Sequence, residues 1–379
     1  MGEKKMPLIH WYEKALHNED IHMCTSMELS YIDVARLFVD RNAFIFIRNY
    51  FENLRTKNVL INPAYKFLNI LDRITEFRAQ HTVASFLLGL VVKEELSLDT
   101  RDWIRLYDSK TSDTSFGFFW SLICLTHDVA YYWERNSKKM LAQVPTVEAF
   151  CQRNDIQYNL LDKAENAELI RNYYRYRAEI SEQIDHGIAG AILVYDALMT
   201  FYNEGTGQSE VNLCGLRLRK NFPDFCLRIA ETVALHNMWR ASEKTIVAYK
   251  MYQLDMLIPD GNAREIVFYK DDTLLFLLGL IDTIDPIKGF CSTEGRRVRI
   301  PAETVLNDFY IRFVKRAGVK KIYMEFADPN FKGKYTNDVA GMEKWLGVLV
   351  KQPTRNEVEI SIRMDSVEQK EVEVKPKSA

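Results

Sequence analysis

From Leu71 onward, the apolar positions Leu71, Ile74, Phe77, Ala84, Leu88 and Val91 recur at intervals suited to one helix face, predicting an amphipathic helix. Residues 116–133 are apolar almost throughout and predict a central helix buried on most sides. Helical periodicity returns at 180–202, 225–239 and 272–284, where Pro286 is expected to stop it. Ahead of these lies a polar and aromatic leader over 1–60, amphipathic near 27–54, with Asn62-Pro63 as punctuation after it. Residues 135–170 are charged, hold Pro145 and read as a helical insertion. After about residue 300 the texture changes: 321–326 (KIYMEF) and 357–363 (EVEISIR) favour strands, with an amphipathic stretch at 339–350 between them. The last dozen residues are charged and are expected to fray. The pattern predicts a mainly α protein: leader 1–60, helical domain 61–300, and a small α+β appendage with a charged tail over 301–379.

Composition narrows the function classes. Fifty basic side chains face 52 acidic ones, a balance that disfavours nucleic-acid binding by bulk phosphate neutralisation. Only 16 Gly and 10 Pro interrupt 379 residues, which fits long packed helices and excludes linker-rich or collagen-like chains. The six cysteines form no CxxC pair, arguing against a zinc ribbon or a dithiol redox motif and for reduced, buried thiols. No apolar run reaches the roughly 18–20 residues of a membrane span, and the N-terminus carries no secretory pattern. We therefore expect a soluble cytoplasmic protein without a membrane partner; its aromatic richness is compatible with a homo-oligomer.

The seven histidines carry most of the chemical information. Three fall in the leader, and His81, His127, His186 and His236 each lie inside a strongly apolar helical segment. An unpaired polar group in such surroundings costs about 1–3 kcal/mol, so four imidazoles on four buried faces need partners. Two carboxylates share the predicament: Asp128 follows His127 directly, and Asp282 interrupts LLFLLGLID. One cation site satisfies all six groups together. Imidazole with carboxylate suits Mn, Fe, Ni, Co, Zn or Mg. Successive ligand segments lie 46, 59, 50 and 46 residues apart, too far for a local clip and suited to a bundle in which each helix contributes to a central site.

The ordered motifs RAQHTVASFLLGL (His81), LICLTHDVAYYWE (His127-Asp128), IDHGIAGA (His186), ALHN (His236) and LLGLIDTIDP (Asp282) resemble the HD-domain superfamily of all-helical metalloproteins, mostly phosphohydrolases, across residues 64–290. The resemblance implies an HD-type helical bundle holding one or two divalent ions. His81, His127, Asp128 and Asp282 would hold the first, and His186 and His236 the second, with Asp128 bridging. It implies a metal-dependent phosphohydrolase acting on a nucleotide or other small phosphate ester through a metal-bound hydroxide. Tyr131 and Tyr132 stand where two better-characterised subclasses carry lysine or acidic residues, so neither subclass substrate carries over. Di-iron oxygenases of the same fold, and a nucleotide-binding regulatory module, share the ligand set.

Around these motifs, Arg78 and Arg240 are candidate cations for phosphate oxygens, as are Lys288, Arg175 and Arg177. Glu134, two turns beyond His127, is a candidate general base or a helix-end charge. Asp185 and Asn237 could orient ligand imidazoles. Asp285 reads as a reserve ligand only, because Pro286 disfavours helical geometry there. No P-loop and no GxSxG nucleophile elbow occurs, and the basic run EGRRVRI at 294–300 reads as a solvated turn.

Overall fold

A computed structural model describes residues 5–17, 33–53, 74–98, 116–206, 212–213, 216–217, 222–238, 241–258, 273–291, 300–316, 319–326, 358–364 and 371–374. The chain is mainly α, with a small sheet near the C-terminus.

The central helix is Glu76–Glu95. Thr75 caps its start by accepting the Arg78 backbone N–H at 3.4 Å. The periodicity from Leu71 predicts a one-sided helix, yet every residue from Arg78 to Val92 is buried. The reason is tertiary: helices Leu8–Leu16, Asn42–Asn53, Phe116–Thr126, Thr273–Ile284 and Pro286–Cys291 surround it. Trp120 packs against it and donates its indole N–H to the Phe86 carbonyl at 2.9 Å. Gly89 makes room for that ring, since a Cβ there would fall 2.1 Å from Trp120 Cζ2.

The apolar run 116–133 is not one helix. Phe116–Thr126 ends before His127, four turn residues follow, and Tyr131–Arg135 resumes. Within the break, Val129 N–H donates to Thr126 O and Tyr131 N–H to Asp128 O, the tighter three-residue spacing. The Thr126 hydroxyl donates to Leu122 O at 2.6 Å, another local competitor of the helical ladder. His127 and Asp128 therefore project from a turn.

The insertion over 135–170 is helical in large part, with Ser137–Met140, Val147–Arg153 and the start of Ala167–Ile180. The periodic stretches at 180–202 and 225–239 become His186–Thr206 and Phe222–Leu235, which pack along one another. Gly187 gives them room: a Cβ there would lie 3.0 Å from Val233 O and 3.2 Å from the Asn237 Cβ. Pro286 ends the Thr273–Ile284 helix as expected and also begins another, Pro286–Cys291, as a first-turn proline can.

The C-terminal sheet runs Met6–Pro7, Phe309–Arg316, Val319–Phe326, Val358–Met364, Glu371–Val374 in spatial order. All neighbours are antiparallel except 319–326 with 358–364, where Ile322 pairs Ile360 in parallel. Two corrections follow. Phe309–Arg316 is a further strand, with Ile311 and Phe313 on its buried side. The charged tail contains the strand Glu371–Val374, whose Glu-Val-Glu-Val alternation has the period a strand requires. The leader and the appendage also touch. Trp11 donates to Ile311 O at 3.0 Å and meets the Phe313 ring edge-on at 5.0 Å. The stretches 62–63, 294–299 and 339–350 lie outside the described residues. Among the described residues no helix is long and apolar enough to cross a membrane.

Candidate metal centre

All six groups singled out from the sequence come together. His81 is in the second turn of the central helix, and His127 and Asp128 are in the turn after Phe116–Thr126. His186 opens the His186–Thr206 helix, His236 directly follows Phe222–Leu235, and Asp282 is in the last turn of Thr273–Ile284. Five separate segments thus deliver ligands at or near helix ends, where backbone turns can aim side chains inward.

Two overlapping clusters result, His81–His127–Asp128 and Asp128–His186–His236, each with ligand atoms within 4.8 Å of one another. His81 Nε2 lies 3.2 Å from His127 Nε2 and 3.0 Å from Asp282 Oδ1, which is itself 3.6 Å from His127 Nε2. Asp128 stands between the clusters. Its Oδ2 is 3.6 Å from His81 Nε2, and its Oδ1 is 3.3 Å from His186 Nε2.

The other edge of each ring is occupied. His127 Nδ1 donates to Cys124 O at 2.7 Å and His236 Nδ1 to Val233 O at 2.6 Å. His81 Nδ1 is 2.6 Å from Asp285 Oδ2, and His186 Nδ1 is 2.5 Å from Glu134 Oε2. A carbonyl can only accept, so His127 and His236 each carry a proton on Nδ1, and Nε2 is the nitrogen turned into the cluster. Each cluster thus has one imidazole backed by a carboxylate and one backed by a carbonyl. Orientation by an outer acceptor is how ligating histidines are held. At 3.2 Å, His127 Nε2 and His81 Nε2 are close enough to share one cation. The donor set fits a divalent ion.

The charges support that fit. Burial, reinforced by His127 and His186, drops His236 to about 3, leaving it neutral at physiological pH. Burial would also lower His81, but hydrogen bonds to Asp282 and Asp285 outweigh it and hold it above its ordinary value. His186 is raised likewise, with Glu134 overcoming burial. Asp128 falls well below the carboxylate range because Arg78 and the three nearby imidazoles outweigh desolvation. Asp282 does so through Lys288, His127 and His81, again against burial.

The supporting cast differs from the sequence reading in two places. Asp285, expected as a reserve ligand, faces the outer edge of His81. As the cap of Pro286–Cys291, it also accepts the Ile287 and Lys288 backbone N–H groups at 3.0 and 3.1 Å. The Asp-Pro pair was the available signal, since Asp is a favoured N-cap and Pro a favoured first helical residue. Glu134, weighed as a general base or a helix-end charge, contacts the outer edge of His186 and lies 3.5 Å from Arg177 Nη2.

Arg78 donates to Asp128 Oδ2 at 2.9 Å and stacks over the Tyr131 ring at 3.4 Å. Arg177 lies 3.6 Å from Asp185, whose other oxygen accepts the Ile188 N–H and so caps the helix that His186 opens. Asn237 donates to Asp185 at 3.0 Å, tying the His236 segment to the same network. Arg175 instead stacks over Tyr252 at 5.1 Å. Arg240 lies outside the described residues.

No family model, no curated protein and no solved structure matches the chain.

Proposed function

We propose that this protein is a metal-dependent phosphohydrolase of HD type. His81, His127, Asp128 and Asp282 would hold one divalent ion, His186 and His236 a second, with Asp128 shared. One observation carries the reading: imidazole nitrogens and carboxylate oxygens from five segments converge in a buried centre, each imidazole held from behind by an acceptor. Divalent ions held there would supply polarisation of phosphoryl oxygens and a water of lowered pKa.

The chain's own residues supply the geometry. Arg78 fixes the rotamer of Asp128 and offsets its charge while the centre is formed. Asp285 and Glu134 set the tautomers of His81 and His186, so that Nε2 is the ligand atom in both. Lys288, on Asp282 at the more exposed side of the centre, provides a cation for a phosphate oxygen. The substrate class proposed is a nucleotide or other small phosphate ester.

Metal content per chain of protein purified without added metal, compared with Asp128→Ala, tests the reading. One or two equivalents of Mn, Ni, Co, Zn or Mg, lost in the variant, together with turnover in a phosphate-ester screen, is the expected result. Iron with substrate-dependent oxygen consumption would replace hydrolysis by dioxygen chemistry. Sub-stoichiometric metal that added ions do not raise would refute the metal centre itself.

A further inference from the structure

The Lys288 ammonium lies 2.5 Å from Asp282 Oδ1. That oxygen is the one facing the histidines, 3.0 Å from His81 Nε2 and 3.6 Å from His127 Nε2. The side chain therefore holds the oxygen that an incoming cation would use. A dication and an ammonium cannot both sit against one carboxylate oxygen without like-charge repulsion.

The other two cations around the centre cannot respond in the same way. Arg78 is 7% exposed and fixed between Asp128 and the Tyr131 ring. Arg177 is 15% exposed and donates to Gln183 at 2.7 Å while facing Glu134 and Asp185. Lys288 is 36% exposed, and Asp282 is the one acidic side chain it pairs with among the described residues. Its four-carbon stem is flexible, so the head group can leave Asp282 and remain beside it on the more exposed side.

We propose that Lys288 is a metal-released anion-binding residue: it neutralises Asp282 in the empty centre, and on metal loading it turns to bind a phosphate group of the substrate. The inference rests on the metal-centre reading above. It makes metal and phosphate binding reciprocally coupled through one side chain, because each favours the state in which Lys288 has left Asp282.

The experiment titrates metal-stripped wild type, Lys288→Met and Lys288→Arg with Mn2+ against a chromophoric chelator. Inorganic phosphate is then titrated calorimetrically onto the metal-loaded and metal-free forms. Removing the competing ammonium should tighten metal binding by Lys288→Met about two- to fivefold, the range for a partly exposed ion pair. Phosphate binding to the loaded variant should weaken about tenfold, as for loss of one charged hydrogen bond. Lys288→Arg should keep phosphate affinity within about threefold of wild type, since the charge is retained. Changes of opposite sign for metal and phosphate support the proposal, because a merely structural lysine would weaken both together. Parallel losses, or unchanged phosphate affinity in Lys288→Met, overturn it while leaving the metal centre standing. Wild type that binds no metal overturns both readings at once.

Discussion

Replacing Asp285 by Asn tests whether the outer contacts of the histidines matter, without touching a proposed ligand. Three N–H groups converge on this carboxylate: Ile287 N on Oδ1 at 3.0 Å, and Lys288 N at 3.1 Å with His81 Nδ1 at 2.6 Å on Oδ2. An amide has one accepting atom, so it cannot serve both sides. If its oxygen takes the Ile287 position, the amide N–H2 faces His81. The imidazole must then accept on Nδ1, which moves its proton to Nε2, the atom required for the metal. If its oxygen faces His81, the N–H2 opposes the Ile287 N–H and loses part of a helix cap, a cost of about 1 kcal/mol, along with the charge that polarised the ring. Loss of such an outer partner lowers metal affinity about 10–100-fold. That corresponds to ~1.4–2.7 kcal/mol. The assay is a chelator competition titration of the metal-stripped variant with Mn2+ or Zn2+, with circular dichroism to verify folding. A folded Asp285→Asn that binds metal within twofold of wild type would refute the claim that His81 is held in its ligating tautomer by this carboxylate.

Two further outcomes follow from packing and charge. Gly89→Ala should destabilise the fold by ~1–3 kcal/mol, because the new methyl overlaps the Trp120 ring, itself 0% exposed and bonded to Phe86 O; a denaturant midpoint equal to wild type would contradict it. Acid should weaken the metal-stripped protein through His236, whose folded value of about 3 lies below the unfolded value near 6.5. The unfolded chain binds the extra proton between those values, so stability is full above pH ~6.5 and falls as pH drops towards 3. At pH 5 the loss is ~2 kcal/mol on this account, at 1.36 kcal/mol per pH unit. His236→Gln should flatten the pH 5–7 slope of urea stability by that amount, and a slope unchanged by the substitution would show that another group governs it.

The helices were legible in the sequence because burial imposes a period of 3.6, and the strands at 321–326 and 358–364 because alternation imposes a period of 2. The six candidate ligands were legible for a related reason: imidazoles and carboxylates are costly in apolar segments, so their presence at 81, 127, 128, 186, 236 and 282 demanded a shared explanation. Boundaries were not legible. The break at His127 depends on a threonine hydroxyl bonding its own helix and on three-residue hydrogen bonds, neither of which alters the hydrophobic pattern. The strand at 371–374 went unread although its Glu-Val-Glu-Val alternation was available, because four residues in a charged tail make a strand only when 358–364 lies beside them, and 309–316 is completed in the same way by 319–326.

By itself the sequence determined a mainly helical protein, the segments that form it, and which polar groups had to meet inside. Only the tertiary structure decided how they meet. It placed Asp128 between two clusters, turned Asp285 and Glu134 to the outer edges of His81 and His186, and set Lys288 on Asp282. Periodicity records the free energy of burying a face, which is additive along the chain and visible one residue at a time. The roles of carboxylates in a shared centre depend on distances of about 3 Å between residues up to 204 positions apart, and those are a property of the packed whole.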